Sequence, residues 1–284
     1  MTINAVEEHY SKGGLLERIL AALDAAGKDA RALSPDDLAA VDEFHGGQRP
    51  ATIRLAKLLA PCGKERVLDV GSGIGGPARF LASAYGCRVT GVDLCGEFCR
   101  VAETLTGLTG LQELVDFRQA DALDLPFAEA SFDIVWSQNS AMNIAERDRL
   151  YREMRRVLRA GGKLALQEIA LGPGGEPHYP VAWAREPAIS FLLTPEETRN
   201  KLEAARFGIV LWQDTSAATL ASARARSPQK TGSPGAPARS PATPPALGTH
   251  LILGDDWQEM ARNSVRNLEE GRVALFNAVL EALP

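Results

Sequence analysis

The stretch Glu65-Arg66-Val67-Leu68-Asp69-Val70-Gly71-Ser72-Gly73-Ile74-Gly75-Gly76 decides the fold. Val67, Leu68 and Val70 form a short apolar run that reads as a buried strand bounded by glycines. Past Gly71 the chain must turn tightly, and glycine takes positive φ without steric cost. From Pro77 the spacing of Ala78, Phe80, Leu81 and Ala84 is helical, with proline tolerated in the first turn. Strand, glycine turn and helix N-terminus together make a corner where a nucleotide can approach backbone closely.

Gly71, Gly73 and Gly76 also satisfy the dinucleotide spacing G-x-G-x-x-G, so the glycines alone leave a nicotinamide dehydrogenase open. Asp69 separates the readings. A carboxylate two residues before the first glycine repels a pyrophosphate. It suits a ligand that presents an ammonium and hydroxyls. S-adenosylmethionine, with no phosphate, a cationic sulfonium and an amino-acid tail, fits that description.

Outward from this corner, 284 residues suffice for a continuous core, and a net charge of −5 argues against a nucleic-acid surface. No apolar run reaches membrane-spanning length, and the N-terminus has no basic-then-apolar leader pattern. Cys62, Cys87, Cys95 and Cys99 lack zinc-type paired spacing and read as reduced thiols of a cytoplasmic protein without a metal site.

Residues 1–60 read as a helical cap. Leu15, Leu16, Ile19, Leu20 and Leu23 form an apolar stripe, and Ser34-Pro35-Asp36-Asp37 is a helix start whose helix breaks at His45-Gly46-Gly47. A further helix runs from about Pro50 to Leu59. Strands then alternate with helices: Val67–Val70, Arg88–Asp93, Leu114–Arg118, Ser131–Ser137 and Lys163–Ile169, the last after a helix ended by Gly161-Gly162. That alternation predicts a doubly wound, mostly parallel sheet of Rossmann type, seven-stranded once Phe207–Asp214 is added and Val273–Leu280, ambiguous between helix and strand on pattern alone, is taken as an antiparallel last strand. Asp93 closes the second strand about 20 residues past the glycines, where a carboxylate can take both ribose hydroxyls. Asp121 reads either as an acceptor for the adenine amino group or as a loop cap. Gly172–Pro187 is a long loop carrying His178, Tyr179 and Trp183, functional or mobile by its length. Residues 223–248, rich in Pro, Ala, Ser and Arg and without acids, read as a disordered insertion between domain segments 61–222 and 249–284.

The ordered motifs resemble those of class I S-adenosylmethionine-dependent methyltransferases. They are Leu68 to Gly76, Gly91-Val92-Asp93, Asp121-Ala122, Ser131 to Trp136 and Arg156 to Gly162, and together they span residues 65–170. The chain is most similar to the sarcosine/dimethylglycine and phosphoethanolamine N-methyltransferase group, through His9-Tyr10-Ser11, Phe44-His45-Gly46-Gly47 with Ala51-Thr52, Ser137-Gln138-Asn139 through Asn143, and Asn267 to Arg272. The resemblance implies a cofactor set of Tyr10, His45, Asp69, Gly71, Gly73, Asp93, Leu94, Asp121, Ala122 and Gln138. Tyr10 would latch over the sulfonium, and Tyr10 with His45 would be the catalytic pair. Asn139, Met142, Asn143, Tyr179 and Trp183 would meet the substrate. In the phosphoethanolamine enzymes a histidine stands at the position of Asn143 and an aspartate at that of Asn139. The neutral amides here remove a tyrosine–histidine relay and leave less negative charge for a substrate ammonium.

The reaction expected is methyl transfer from S-adenosylmethionine to a small molecule, with N-methylation of an amine or amino-acid derivative first. C- or O-methylation in natural-product or quinone metabolism is the alternative, as is a cofactor-binding protein without methyl transfer. His45, His178 and Tyr10 are candidate bases. Trp183 and Tyr179 could wall a cationic amine or simply anchor their loop. A homodimer is left open; nucleic-acid and membrane partners are not expected.

Overall fold

A computed structural model describes residues 2–11, 13–226 and 247–284. Four helices come first: α1 (Thr2–Tyr10), α2 (Leu15–Ala25), α3 (Pro35–Asp42) and α4 (Gln48–Leu59). The alternation follows as β1 (Arg66–Val70), α5 (Gly76–Tyr85), β2 (Arg88–Asp93), α6 (Gly96–Leu108), β3 (Val115–Gln119), β4 (Phe132–Gln138), α7 (Arg147–Val157) and β5 (Leu158–Leu171). The chain then forms α8 (Pro195–Ala204), β6 (Phe207–Asp214), α9 (Ser216–Arg226), α10 (His250–Leu253), α11 (Trp257–Glu269) and β7 (Val273–Ala282). The expected insertion falls mostly on residues 227–246, outside the described residues; 223–226 close α9 instead of starting a linker.

The seven strands lie in the order β3-β2-β1-β4-β5-β7-β6, and β7 runs antiparallel to both neighbours. β1 lies between β2 and β4, with Leu68 beside Thr90 on one side and Val135 on the other. Crossovers leave β1 toward β2 and return past it to β4, so the sheet order reverses next to β1. Open α/β sheets bind ligands at that reversal, off the strand C-termini.

Alternate side chains serve the two faces, as the strand period requires. Leu68, Val70 and Val135 pack on α7 and α8 through Leu150, Met154 and Leu202. Val67, Ile134 and Trp136 face α4, α5 and α6 through Leu55, Leu81 and Ala102. A third cluster joins the cap to the domain: Ile19, Leu23 and Leu38 meet Phe98, Val101 and Leu105 of α6, and Leu251 and Ile252 of α10. Beneath it, Arg79 and Asp42, both fully buried, pair at 2.9 Å. At Gly76 a Cβ would stand 2.3 Å from the Asp42 carbonyl oxygen, so glycine there lets α5 start directly under the cap.

Gly161-Gly162 does not end the preceding helix. α7 stops at Val157, and Leu158 already pairs with Phe132 as the start of β5. The glycines sit inside an irregular strand entry with a register shift between Phe132 and Ile134, where a Cβ on Gly162 would meet the Asp133 carbonyl oxygen at 3.0 Å. No helix among the described residues is long and apolar enough to cross a membrane.

Candidate active site

The corner after β1 folds as the glycines require. The amides of Gly71 and Ser72 both donate to the Val92 carbonyl, at 2.9 and 3.0 Å, turning the loop back onto β2. Gly71 has φ of 75°, and a Cβ there would lie 2.3 Å from that of Ser140. Asp93 ties the loop to α6: its Oδ2 accepts from the Gly73 amide at 2.8 Å and its Oδ1 from that of Cys95 at 2.9 Å. Each oxygen keeps a lone pair for a hydroxyl. Burial pushes this carboxyl up, and its backbone donors pull the other way.

Asp69 differs. It is 2% exposed, and its Oδ2 has no hydrogen-bond partner. Burial, then the charges of Asp93 and Glu43, push its carboxyl up to about 8. An orphaned buried carboxyl oxygen on a cavity wall is costly unless a ligand satisfies it. A donor-rich, cationic ligand does so; a pyrophosphate does not.

The cavity has a volume of about 970 Å³ and runs from this corner across the C-terminal ends of β4 and β5 and the N-terminal end of the antiparallel β7 to the face of α11. Of the residues singled out in the sequence, Tyr10, His45, Asp69, Gly71, Gly73, Asp93, Leu94, Asp121, Ala122, Gln138, Asn139, Met142, Asn143 and Trp183 all stand on its wall. Tyr179 does not: it packs against the apolar cluster behind Trp183, so of the two loop aromatics only Trp183 meets the cavity. Asp121 uses Oδ1 to cap its own loop at the Leu123 amide, 2.8 Å away, and still lines the cavity. His178 lies off the wall, bonded through Nε2 to Glu270 at 2.8 Å.

α1 closes one side. The Tyr10 hydroxyl donates to Asn143 Oδ1 at 2.9 Å, while Asn143 Nδ2 donates to the carbonyls of Trp183 and Ile189, each at 2.8 Å. One amide thus joins the N-terminal helix, the turn after β4 and the loop after β5. Burial, then the charges of Asp93 and Cys95, raise the Tyr10 hydroxyl far above its ordinary range.

His45 belongs to a buried network that sequence reading did not find. Its Nε2 lies 2.7 Å from Glu43 Oε2, which also accepts from Thr52 Oγ1 at 2.6 Å; Glu43 Oε1 faces Arg49 Nε at 2.7 Å. Burial alone would raise the Glu43 carboxyl, but His45, Arg49 and Thr52 together hold it below its ordinary value. The network continues through Thr52 to Gln138, and from Gln138 Nε2 to Gln167 at 2.9 Å. Gln167 in turn donates to the Gly46 carbonyl. Also unforeseen is the far wall, built by Thr219 of α9, Met260, Ser264, Val265 and Leu268 of α11, and Leu275 of β7. The spacing of Met260, Ser264 and Leu268 shows one face of a helix, but a lining stripe and a core stripe look alike in sequence.

Among the described residues no cluster of His, Cys, Asp and Glu could hold a metal ion. The four cysteines are free thiols, and three of them are buried.

Comparison with known proteins places this geometry. Residues 68–166 match the family model described as "Methyltransferase domain". The methyltransferase GfsG of Streptomyces halstedii is 37% identical over 135 residues, 48% of this chain and 49% of that protein. Sarcosine/dimethylglycine N-methyltransferase of Halorhodospira halochloris is 37% identical over 111 residues, 39% of this chain and 40% of that protein. The chain thus spans no more than about half the length of these curated relatives. In fold it superposes on geranyl diphosphate C-methyltransferase of Streptomyces coelicolor A3(2), solved with Mg2+, geranyl diphosphate and S-adenosyl-L-homocysteine. The TM-score is 0.70 at 17% identity, over 99% of this chain and 98% of that one. Residues 68–166 are a methyltransferase domain, the class to which the ordered motifs pointed.

Proposed function

We propose that the chain is an S-adenosylmethionine-dependent methyltransferase that acts on a small molecule. The observation that carries this reading is the pair of carboxyls at the corner: Asp93 spanning loop and helix, and Asp69 with an unpartnered buried oxygen. Among the described residues no lysine or arginine lines the cavity, so a phosphate-bearing cofactor would find no counter-charge.

Bound there, the cofactor supplies an electrophilic methyl group on a cationic sulfur. The chain's task is placement and dryness, and orientation of this kind is worth several kcal/mol of barrier. Asp93 would accept the ribose hydroxyls, Asp69 would face the amino-acid ammonium, and the Ala122 segment would flank the base. The Tyr10–Asn143 bond holds α1 over the mouth and excludes water. An amine acceptor arrives with its own lone pair. A hydroxyl or carbon acid needs a base, and His45, oriented by Glu43, is the group on the wall that can serve. N-methylation of an amine or amino-acid derivative stays the first expectation from sequence, with O- or C-methylation beside it.

The test is calorimetric titration with S-adenosylmethionine, followed by assay for S-adenosylhomocysteine over amine, hydroxyl and enol acceptors. Cofactor binding with no turnover of any acceptor would move the chain to the class that binds without transfer. Preference for a nicotinamide dinucleotide would remove the reading altogether.

A further inference from the structure

Resting on that reading, we infer that the acceptor is an uncharged, largely apolar molecule held at Asn139 through a single hydrogen-bond donor. The argument starts from which charges line the cavity. Among the described residues six acidic ones do so: Glu7, Asp42, Asp69, Asp93, Asp121 and Glu146. Asp42 is paired with Arg79. Asp69, Asp93 and Asp121 stand at the cofactor corner. Glu7 lies within 3.4 Å of Gln119 beyond β2, and Glu146 follows Ile144, which packs on the same cluster as Ala122. Glu7 and the four aspartates belong to the cofactor end, and Glu146 is exposed.

Among the described residues the other end carries neither sign. Met142, Ile169, Trp183, Val273 and Leu275 form one apolar cluster on which Leu268 of α11 packs, and all six line the cavity. A carboxylate or phosphate entering this lobe would be desolvated without a cation to meet it. An ammonium would be desolvated without a carboxylate. A neutral apolar body gains from the same transfer.

Where lobe and corner meet stands Asn139. It is 8% exposed and its Oδ1 has no hydrogen-bond partner. Its backbone has φ of 52°, a conformation costly for a residue with a side chain and concentrated at functional turns. The Asn139 amide donates to the Gln167 carbonyl at 2.8 Å, fixing the residue against β5. The neighbouring Gly46 locates it: a Cβ on Gly46 would stand 2.7 Å from Leu275 Cδ2 and 3.7 Å from Asn139 Nδ2. The side-chain amide of Asn139, with its Oδ1 unpartnered, therefore borders the apolar lobe on its cofactor side. An O–H or N–H of the acceptor molecule satisfies it and presents its heteroatom toward the cofactor.

A series of one shape and three charges tests this. The full chain, saturated with S-adenosylhomocysteine, is titrated by calorimetry with 2-naphthol, 2-naphthoate and 2-naphthylmethylammonium. 2-Naphthol should bind at least about tenfold tighter than either ion. Equal or tighter binding of an ion, or no binding of 2-naphthol, overturns the inference. Asn139→Ala should abolish the preference for 2-naphthol over 2-methylnaphthalene; a preference that survives removes Asn139 as the anchor. Leu275→Arg, checked for folding by circular dichroism, should reverse the order of 2-naphthol and 2-naphthoate, and an unchanged order in the folded variant counts against the lobe. Failure to bind S-adenosylhomocysteine at the outset strikes the methyltransferase reading alone, because the naphthalene series run on the free protein still decides the lobe.

Discussion

Asp69 and Asp93 stand 24 positions apart in sequence and share one wall, yet they do different work. Asp93 is satisfied from the backbone on both oxygens and offers its remaining lone pairs to a ligand. Asp93→Ala should weaken S-adenosylmethionine binding by about 10- to 100-fold, the worth of hydrogen bonds to a charged group, read by calorimetry. Undiminished affinity would remove Asp93 from the site. Asp69, pushed to about 8 against an ordinary value near 4, holds a proton when folded that the unfolded chain has lost. The folded state thus binds more protons between those values, and stability falls as pH rises from about 4 to about 8. Asp69→Asn should stabilise the cofactor-free protein at pH 8 by a few kcal/mol, below the ceiling of about 5 set by a shift of that size, and change little at pH 4. A cationic cofactor favours the ionised carboxyl, so affinity should climb with pH up to about 8 in the native chain and lie flat in the variant.

At the scale of elements, the cap is fastened to the nucleotide corner through a charge pair inside the protein. Arg79, on the first turn of α5, reaches Asp42 at the end of α3 and also donates to the Ile74 carbonyl and Thr106 Oγ1. Replacing only the cation strands Asp42. Arg79→Met should therefore destabilise the fold by about 3–5 kcal/mol in chemical denaturation. Since Ile74 belongs to the glycine corner, the same change should loosen cofactor binding in the variant that still folds. The N-terminal signature of α8 was legible residue by residue: Thr194 and Glu197 form the reciprocal capping box that Thr-Pro-Glu-Glu spells. α9 was not legible. Its Ala- and Ser-rich stretch lacks a long apolar stripe, and its helix rests on tertiary contacts with α11 and β7 instead.

The whole molecule is closed by contacts between distant parts of the chain. Tyr10 and Asn143 are 133 residues apart and bond at 2.9 Å. Tyr10→Phe keeps the ring against Phe98, whose centroid lies 5.7 Å away, and removes only the hydroxyl. One such hydrogen bond is worth about 0.5–1.5 kcal/mol, so cofactor dissociation followed by stopped flow should quicken roughly 2- to 10-fold, with faster hydrogen exchange confined to α1. Exchange spreading through β1 and β2 would mean that Tyr10 holds up the core and not the mouth. Opposite α1, Asn267 both accepts from the His178 amide at 2.7 Å and donates to its carbonyl at 3.0 Å, locking α11 to the loop that carries Trp183.

Sequence alone determined the parts governed by local rules. Glycines at positive φ, a strand period of two, a helix period near 3.6 and an acid closing β2 act over a few residues, so the corner and the alternation could be read directly, whereas the last strand, ambiguous between helix and strand on pattern alone, takes its antiparallel place from its neighbours. Tertiary structure alone decided which apolar residues share the cavity. Met142, Trp183, Leu268 and Leu275 come from four separated segments; the family resemblance marks Met142 and Trp183 for the substrate, while Leu268 and Leu275 look in sequence like ordinary core residues. Only when β7 inserts between β5 and β6 do they face a cavity, because packing, unlike backbone conformation, is set by neighbours far along the chain.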